Sequence, residues 1–450
     1  MKLSKKAYSS PRVSTEYMDV TMPFTFDQYN HCGHNCLYCF SFIQRGDNPM
    51  MKTNEQGFMS EIKAVNVDKV KKIFLGKYPD NPHYNAFIKR RFVLHWGGLS
   101  DPFCPLDRKF GVGLKLLKFF ADINYPVIFS TKGTYITEGK YGDILKSRIV
   151  RKNKNFSFQY SITIPRDDFA KQIERGVSST SERIKTVKQL SDWGYWTTFR
   201  LSPFIIGASD IELEGLVRKM SEAGVNDIST RFMCLQVKAS DIFKKRFNEI
   251  SKIVGYDMID YFKKISPTER GSYLRLNREL KARFFKQFVI FAKKYNIELH
   301  SYDPDFRDFV LPSRNRIKMK DYNLALANRS KIALSHHLKI LRKAYWQSGR
   351  KDQYITWQDI LDSETPNWIN NFNYYQESLR RFKTQYDMKN ITVATEYNNT
   401  WNNLRSSKNP YNYYYGKLLP VGKDKKNNII FKYNPSEYEI QWIKEGITEY

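Results

Sequence analysis

No run of apolar residues in this chain reaches the length of a membrane span, and its start, MKLSKKAYSS, carries basic residues without the apolar stretch of a secretion signal. Bilayer insertion and export are therefore not expected, and a cytoplasmic protein is. Cysteine is scarce: five in 450 residues, an odd number, with three of them inside eight positions. This excludes a disulfide framework as the source of stability and fits a metal site in a reducing compartment. Acidic residues are also in deficit, 46 against 74 Lys and Arg, for a formal charge of +28. Such an excess points first to a polyanion such as DNA or RNA. An A/T-rich gene would produce part of the same bias, with many lysines only solvating helix faces. No internal repeat is visible.

What is present is enough to fold. An apolar fraction of 41% with 15% aromatics supports packed cores, and the length suits two or three domains. From Tyr17 to about Leu311, short apolar runs alternate with amphipathic stretches, the pattern of βα units around a parallel sheet. Strands are expected at Asp19 to Phe26, Arg91 to Trp96, Pro126 to Ser130, Phe156 to Ile164, Trp196 to Leu201 and Ile228 to Cys234. Helices are expected at Gly111 to Ile123, Ser181 to Trp193 and Glu212 to Ala223, the last two stopped by Gly194 and Gly224. A basic helical region follows Cys234, and a long helix from Asn277 to Tyr295 leads into a seventh strand, Ile297 to Tyr302. Near Pro312 the βα rhythm stops. Segments such as SRNRIKMK, HHLKILRKAYW and SLRRFK mark a basic, aromatic, mostly helical C-terminal region with strands near Asn428 to Tyr433. The expected division is therefore 1–312 and 313–450.

The chemistry is concentrated in HCGHNCLYCF, where Cys32, Cys36 and Cys39 form CxxxCxxC in a loop after the first expected strand. Three thiolates in a short loop can hold an iron–sulfur cluster and leave one iron open. The residues alone also allow tetrahedral zinc, with His31 or His34 as the fourth ligand.

With Tyr38 directly before the third cysteine, the motif resembles the hallmark of the radical S-adenosylmethionine (SAM) superfamily. From Tyr17 to Tyr302, about two thirds of its length, the chain resembles the spore photoproduct lyase-like branch of that superfamily. The resemblance implies a parallel α/β fold, a (βα)6-type partial TIM barrel. It also implies a [4Fe-4S] cluster on Cys32, Cys36 and Cys39, with SAM on the open iron and Tyr38 beside it. Further matches fall at strand ends, where α/β folds gather their ligands. HWGGLSDPFCPLD matches at Gly98, Ser100 and Asp101, which the resemblance assigns to SAM. STKGT matches a Thr-Lys motif whose lysine, here Lys132, pairs with the SAM carboxylate. QYSITIPRDDFAKQIERG matches at Ser161, a hydroxyl donor to the same carboxylate. The stretch around Glu174, Arg175, Gly176 and Arg183 resembles the helix pattern that follows this strand in the branch, or else Glu174 and Arg175 form an ordinary surface pair; Pro203 and Gly207 match a loop near the adenine.

The match departs from the branch at one point. Where spore photoproduct lyase has a hydrogen-donating cysteine before the Ser-Asp pair, this chain has Leu99; Cys104, five residues on, is the candidate replacement donor, or else a small buried apolar residue. The resemblance, the charge and the interleaved basic and aromatic C-terminal residues lead to one expected function. It is a radical SAM enzyme acting on a pyrimidine base in DNA, with an electron donor such as flavodoxin or ferredoxin. Trp346, Tyr374, Tyr375 and Tyr413 to Tyr415 would stack on exposed bases, or else pack the C-terminal core. The alternatives are radical chemistry on a peptide or protein, and a non-catalytic nucleic-acid binder with a structural metal.

Overall fold

The computed structural model describes residues 3–8, 10–13, 24–41, 62–77, 88–89, 91–236, 241–265, 273–303, 305–306 and 310–311, and towards the C-terminus 354–358, 398–399, 401–406, 409–413, 418–434, 437 and 440–441. Seven parallel strands form its frame: β2 (Phe24–Phe26), β3 (Leu94–Trp96), β4 (Val127–Thr131), β5 (Phe156–Ser161), β6 (Trp196–Phe204), β7 (Asp227–Phe232) and β10 (Glu298–Ser301). Each pairs with the next in chain order, as in a barrel. The sheet stays open, because two short antiparallel strands, β1 (Arg12–Val13) and β11 (Val310–Leu311), end it on either side. This is the expected partial barrel, including the seventh strand; the Asp19 to Pro23 part of the first expected strand lies outside the described residues. A small antiparallel strand pair, β8 (Cys234–Gln236) with β9 (Tyr273–Arg275), was not legible in the sequence.

The two faces of the sheet differ in chemistry. Phe26, Trp96, Phe129 and Phe158 are register partners on four successive strands, all fully buried. Their neighbouring ring centroids lie 5.1, 5.4 and 5.1 Å apart. The helix Val112–Asp122 sets Phe120 against this ladder, 5.6 Å from Trp96. Further along, Phe204 and Phe232 meet Phe288 of the helix Arg278–Lys294. These strand residues therefore face the helices, and the alternating ones, among them His95, Ser130, Gln159, Ser161, Thr198, Arg200, Ser229 and His300, face the concave side. Barrels of this class normally fill that side with branched apolar residues. Here it is polar: His95 Nε2 lies 2.8 Å from Ser130 Oγ, which donates to Gln159 Oε1 at 3.3 Å.

The last parallel strand is held at its exit by a buried charge cluster. Lys281 donates to Asp303 at 3.0 Å and to Asp305 at 2.9 Å, tying the helix Arg278–Lys294 to the segment after β10. Towards the C-terminus, β12 (Tyr354–Ile355), β14 (Ile429–Tyr433) and β13 (Leu418–Lys423) form a separate antiparallel sheet. Its buried centre is Trp401, whose indole donates to Ile429 O at 2.6 Å and packs on Phe431 at 4.9 Å. The strand expected near Asn428 to Tyr433 is thus present. The helices expected before it, with Trp346, Tyr374, Tyr375, Tyr414 and Tyr415, lie outside the described residues. No described helix is long and apolar enough to cross a membrane.

Two expected outcomes follow from this packing. Phe129→Ala removes the centre of the aromatic ladder and should cost about 3–5 kcal/mol in urea unfolding; a loss below about 1 kcal/mol would mean that the ladder does not carry the core. For Lys281, burial works against its charge, but Asp303 and Asp305 outweigh it and raise the pKa above 10.5. A raised lysine contributes stability that is complete below its unfolded pKa and is lost as pH rises through the folded value. The stability gap between the wild type and Lys281→Met should therefore be constant from pH 7 to about 10 and shrink only in stronger alkali, read as urea midpoints against pH. A gap that changes between pH 7 and 9 would contradict it.

Candidate active site

At the carboxyl ends of β2, β3, β4 and β5 the loops are knitted together by three buried carboxylates. Asp27, directly after β2, accepts from the backbone N–H groups of Leu99 and Ser100, both at 2.8 Å, and pairs with Arg12. Asp101, in the loop after β3, accepts from Phe103 N at 2.8 Å, Lys132 N at 2.6 Å and Thr131 Oγ1 at 2.8 Å. Burial would raise its pKa, but neighbouring His34 and these donors hold it below the usual carboxylate range. Glu174, after the helix Asp167–Ile173, is 1% exposed. It takes Arg183 Nη2 at 2.5 Å, the Tyr38 hydroxyl, and the Lys132 ammonium at 3.7 Å.

Glu174, which the sequence reading placed in the matching stretch but left out of the site, is central to it. The alternative, a surface pair with Arg175, is not formed; Arg175 turns outward to Glu249. Glu174 turns inward because Arg183, fully buried on the helix Thr180–Asp192, offers a cation that nothing else nearby neutralises. Burial alone would raise the Glu174 pKa; Arg183, Lys132 and the Tyr38 hydroxyl outweigh it and hold the carboxyl ionised. The same guanidinium donates to Ser161 O at 2.8 Å, linking the end of β5 to this centre.

The cysteine loop docks on this segment as a strip of antiparallel backbone. Leu37 N donates to Ile173 O at 2.9 Å, Cys36 bridges Glu174, and Gly176 N donates to His34 O at 2.8 Å. The contact is so close that a Cβ on Gly176 would lie 2.8 Å from His34 O and 2.9 Å from Gly33 O. From the other side, Arg246 donates to the Leu37 and Cys36 carbonyls and to Asn35 Oδ1. Gly97, at φ 108°, lets the next loop pass Ser130, where a Cβ would meet the carbonyl at 2.4 Å.

The three thiols of this loop act on one another electrostatically. Burial pushes Cys32 up to about 12, with Cys39 beside it adding to the shift and the backbone N–H of His34 opposing it. Burial also holds Cys36 well up, against the nearby Lys132 cation. Cys36 is buried and Cys32 and Cys39 are half-buried, and metal coordination would remove the proton of each outright. Among the described residues, no three His, Cys, Asp or Glu side chains converge on one point as a single ion requires. His34 is engaged elsewhere, its Nδ1 3.0 Å from Gly176 O and its Nε2 3.1 Å from Asp101 without an aligned hydrogen bond. The loop itself offers three thiolates, a donor set that suits a cluster in which each binds a different iron.

The remaining expected residues divide by what they touch. Tyr38 and Lys132 adjoin the thiols, the ammonium lying 5.6 Å from the ring centroid. Ser161 is buried on the concave side. A Cβ on Gly98 would meet Thr25 and His95 at ordinary contact distance, 3.8 Å and beyond, so nothing there requires glycine sterically. Ser100 is buried, its hydroxyl 3.3 Å from His31 O, and Asp101 is saturated by the bonds above, so both hold the loops in place. Cys104 is fully buried at the start of the helix Pro105–Phe110, next to Tyr135, which donates to its carbonyl at 3.0 Å. Its thiol has no surface that a substrate could touch, so the structure groups it with the packing residues. Cys234 lies apart in the β8–β9 strand pair.

No protein-family profile and no curated protein matches this sequence. Among solved structures, the fold is similar to a spore photoproduct lyase mutant at 13% identity, over 66% of this chain and 80% of that one, with a TM-score of 0.46. It is similar to another mutant of that enzyme with bound AdoMet and dinucleoside spore photoproduct at 15% identity, 64% and 80% coverage and a TM-score of 0.45. SuiB of Streptococcus suis bound to its precursor peptide SuiA matches at 15% identity, over 68% of this chain and 64% of that one, with a TM-score of 0.33.

If Glu174 is the tie between these loops, Glu174→Ala leaves two buried cations without their anion and should cost about 3–5 kcal/mol in urea unfolding of the metal-free protein. Arg175→Ala, one position away on the surface, should have no measurable effect. Equal losses in the two variants would show that Glu174 does not organise the site.

Proposed function

We propose that this chain is a radical SAM enzyme that acts on nucleic acid, a pyrimidine base in DNA being the first candidate. The observation that carries this reading is the placement of three thiols beside one cation, Lys132, and one aromatic ring, Tyr38, both held by the Glu174 carboxylate, at the mouth of a polar concavity. Cys32, Cys36 and Cys39 would hold a [4Fe-4S] cluster, and Lys132 and Ser161 would receive the carboxylate of SAM. Tyr38 and Gly98 would flank the cofactor, with Ser100 and Asp101 fixing the loop that carries Gly98. When bound, the pair supplies an electron and a 5′-deoxyadenosyl radical able to take hydrogen from an unreactive carbon.

The protein's own residues set the conditions for that chemistry. Arg246 and Lys132 bring positive charge to the cysteine loop, which favours the thiolates over the thiols. The aromatic and backbone contacts around Cys36 keep it 6% exposed and limit water at the centre. The formal charge of +28 supports a polyanionic substrate. A base would have to leave a duplex, or arrive single-stranded, to enter the concavity. The single-electron reductant would be a small carrier such as flavodoxin or ferredoxin.

Anaerobically reconstituted, reduced protein should release 5′-deoxyadenosine from SAM, and thymine-containing DNA should raise the rate. Cys36→Ala should lose its iron, whereas Lys132→Ala should keep it and bind SAM at least about tenfold more weakly. Full iron in Cys36→Ala would overturn the ligand assignment, and release indifferent to DNA would move the substrate elsewhere.

A further inference from the structure

Beyond the cysteine loop, the concave face carries a row of donors whose role is not yet explained. Ser161 on β5, Arg200 on β6, Ser229 on β7 and His300 on β10 are register partners across four adjacent strands, at the carboxyl-terminal side of the sheet. Arg231 stands two residues beyond Ser229 on the same face and is exposed. Neighbouring strands are about 4.8 Å apart, so long side chains from β6 and β7 can close on one small group between them.

Three features show that this row is built for an anion. Arg200 and Arg231 lie within electrostatic range of one another, and no carboxylate counts among the groups that oppose the burial of Arg200; Tyr302 and Tyr38 do. Neither guanidinium has an ion-pair or hydrogen-bond partner among the described residues. Ser229 is 1% exposed, yet its hydroxyl has no hydrogen-bond partner, an orphaned donor that a buried site normally satisfies. The acids on this face, Asp227 and Glu298, are register partners one layer deeper, where Asp227 Oδ2 faces His300 Nδ1 at 3.8 Å. Two like charges held together without a counterion are costly, and an oxyanion with several acceptor atoms removes the cost.

We propose that Arg200, Ser229 and Arg231, with His300 at the side, form a phosphate subsite that holds the phosphodiester of the nucleotide whose base enters the concavity. This rests on the reading of the concavity as a nucleic-acid substrate site and extends it to a named contact. Tyr38 of the cysteine loop acts electrostatically on Arg200, so the subsite opens on the same concavity as the thiols, and the phosphate would fix the nucleotide while its base points towards them. Guanidinium suits the task, since its planar donors match phosphate oxygens in pairs.

The test uses the reconstituted full chain and three probes in calorimetric titrations: inorganic phosphate, the dinucleotide TpT, and TpT with an uncharged methylphosphonate linkage. The wild type should bind phosphate and TpT and prefer TpT to its neutral analogue. Arg200→Gln and Arg231→Gln should each weaken phosphate and TpT roughly tenfold, while Arg200→Lys recovers part of the loss. Arg231 is exposed, so its variant reports even if Arg200→Gln folds poorly. Phosphate and TpT affinities unchanged in both variants would overturn the subsite, as would a loss confined to SAM, which would assign the arginines to the carboxylate of the cofactor. Loss of phosphate binding in the variants, with TpT and its neutral analogue bound alike by the wild type, would uphold an anion subsite and reject the nucleic-acid substrate instead.

Discussion

The carboxylate of Glu174 is the contact on which the site depends. It is buried, yet stays ionised because Arg183 and Lys132 both face it and the Tyr38 hydroxyl completes its shell. Removing any one of these partners leaves a charge in a medium that does not solvate it, so the group acts as a unit. Through it the helix Thr180–Asp192, the end of β4 and the cysteine loop keep a common geometry. Asp27 and Asp101 repeat the device at the preceding loops, each gathering backbone N–H groups that the strand ends leave unpaired.

This design separates rigidity from reactivity. The helix-facing side of the sheet is an aromatic ladder that needs no polar satisfaction, so it carries the packing energy. The concave side gives up that energy: parallel sheets usually bury apolar residues on both faces, whereas here His95, Ser130, Gln159, Arg200 and Ser229 occupy one of them. Such a face is tolerable where something polar is meant to be held. The thiols, the SAM-binding candidates and the arginine pair all border it.

The expected strands and helices coincide with the observed ones to within a few residues, because alternation and the glycine stops at Gly194 and Gly224 are local signals. The cysteine motif was equally legible, since the spacing of thiol ligands is itself a sequence property. The inward turn of Glu174 was not. Next to Arg175 this residue has the outward form of a surface pair, and only the position of Arg183, nine residues on and across a helix junction, turns it inward. The same holds for Asp27, an ordinary acid after a strand, and for Arg246, whose service to the cysteine loop crosses 210 residues of chain.

The sequence by itself therefore determined the parallel α/β architecture, the grouping of three cysteines in one loop and the excess of positive charge, because periodicity, spacing and composition need no partner in space. Tertiary structure alone decided the burial of Cys104, the inward turn of Glu174 and the alignment of Arg200 with Ser229. Each of these depends on which groups meet after folding, where burial makes an unpaired charge or donor expensive and so dictates its partner.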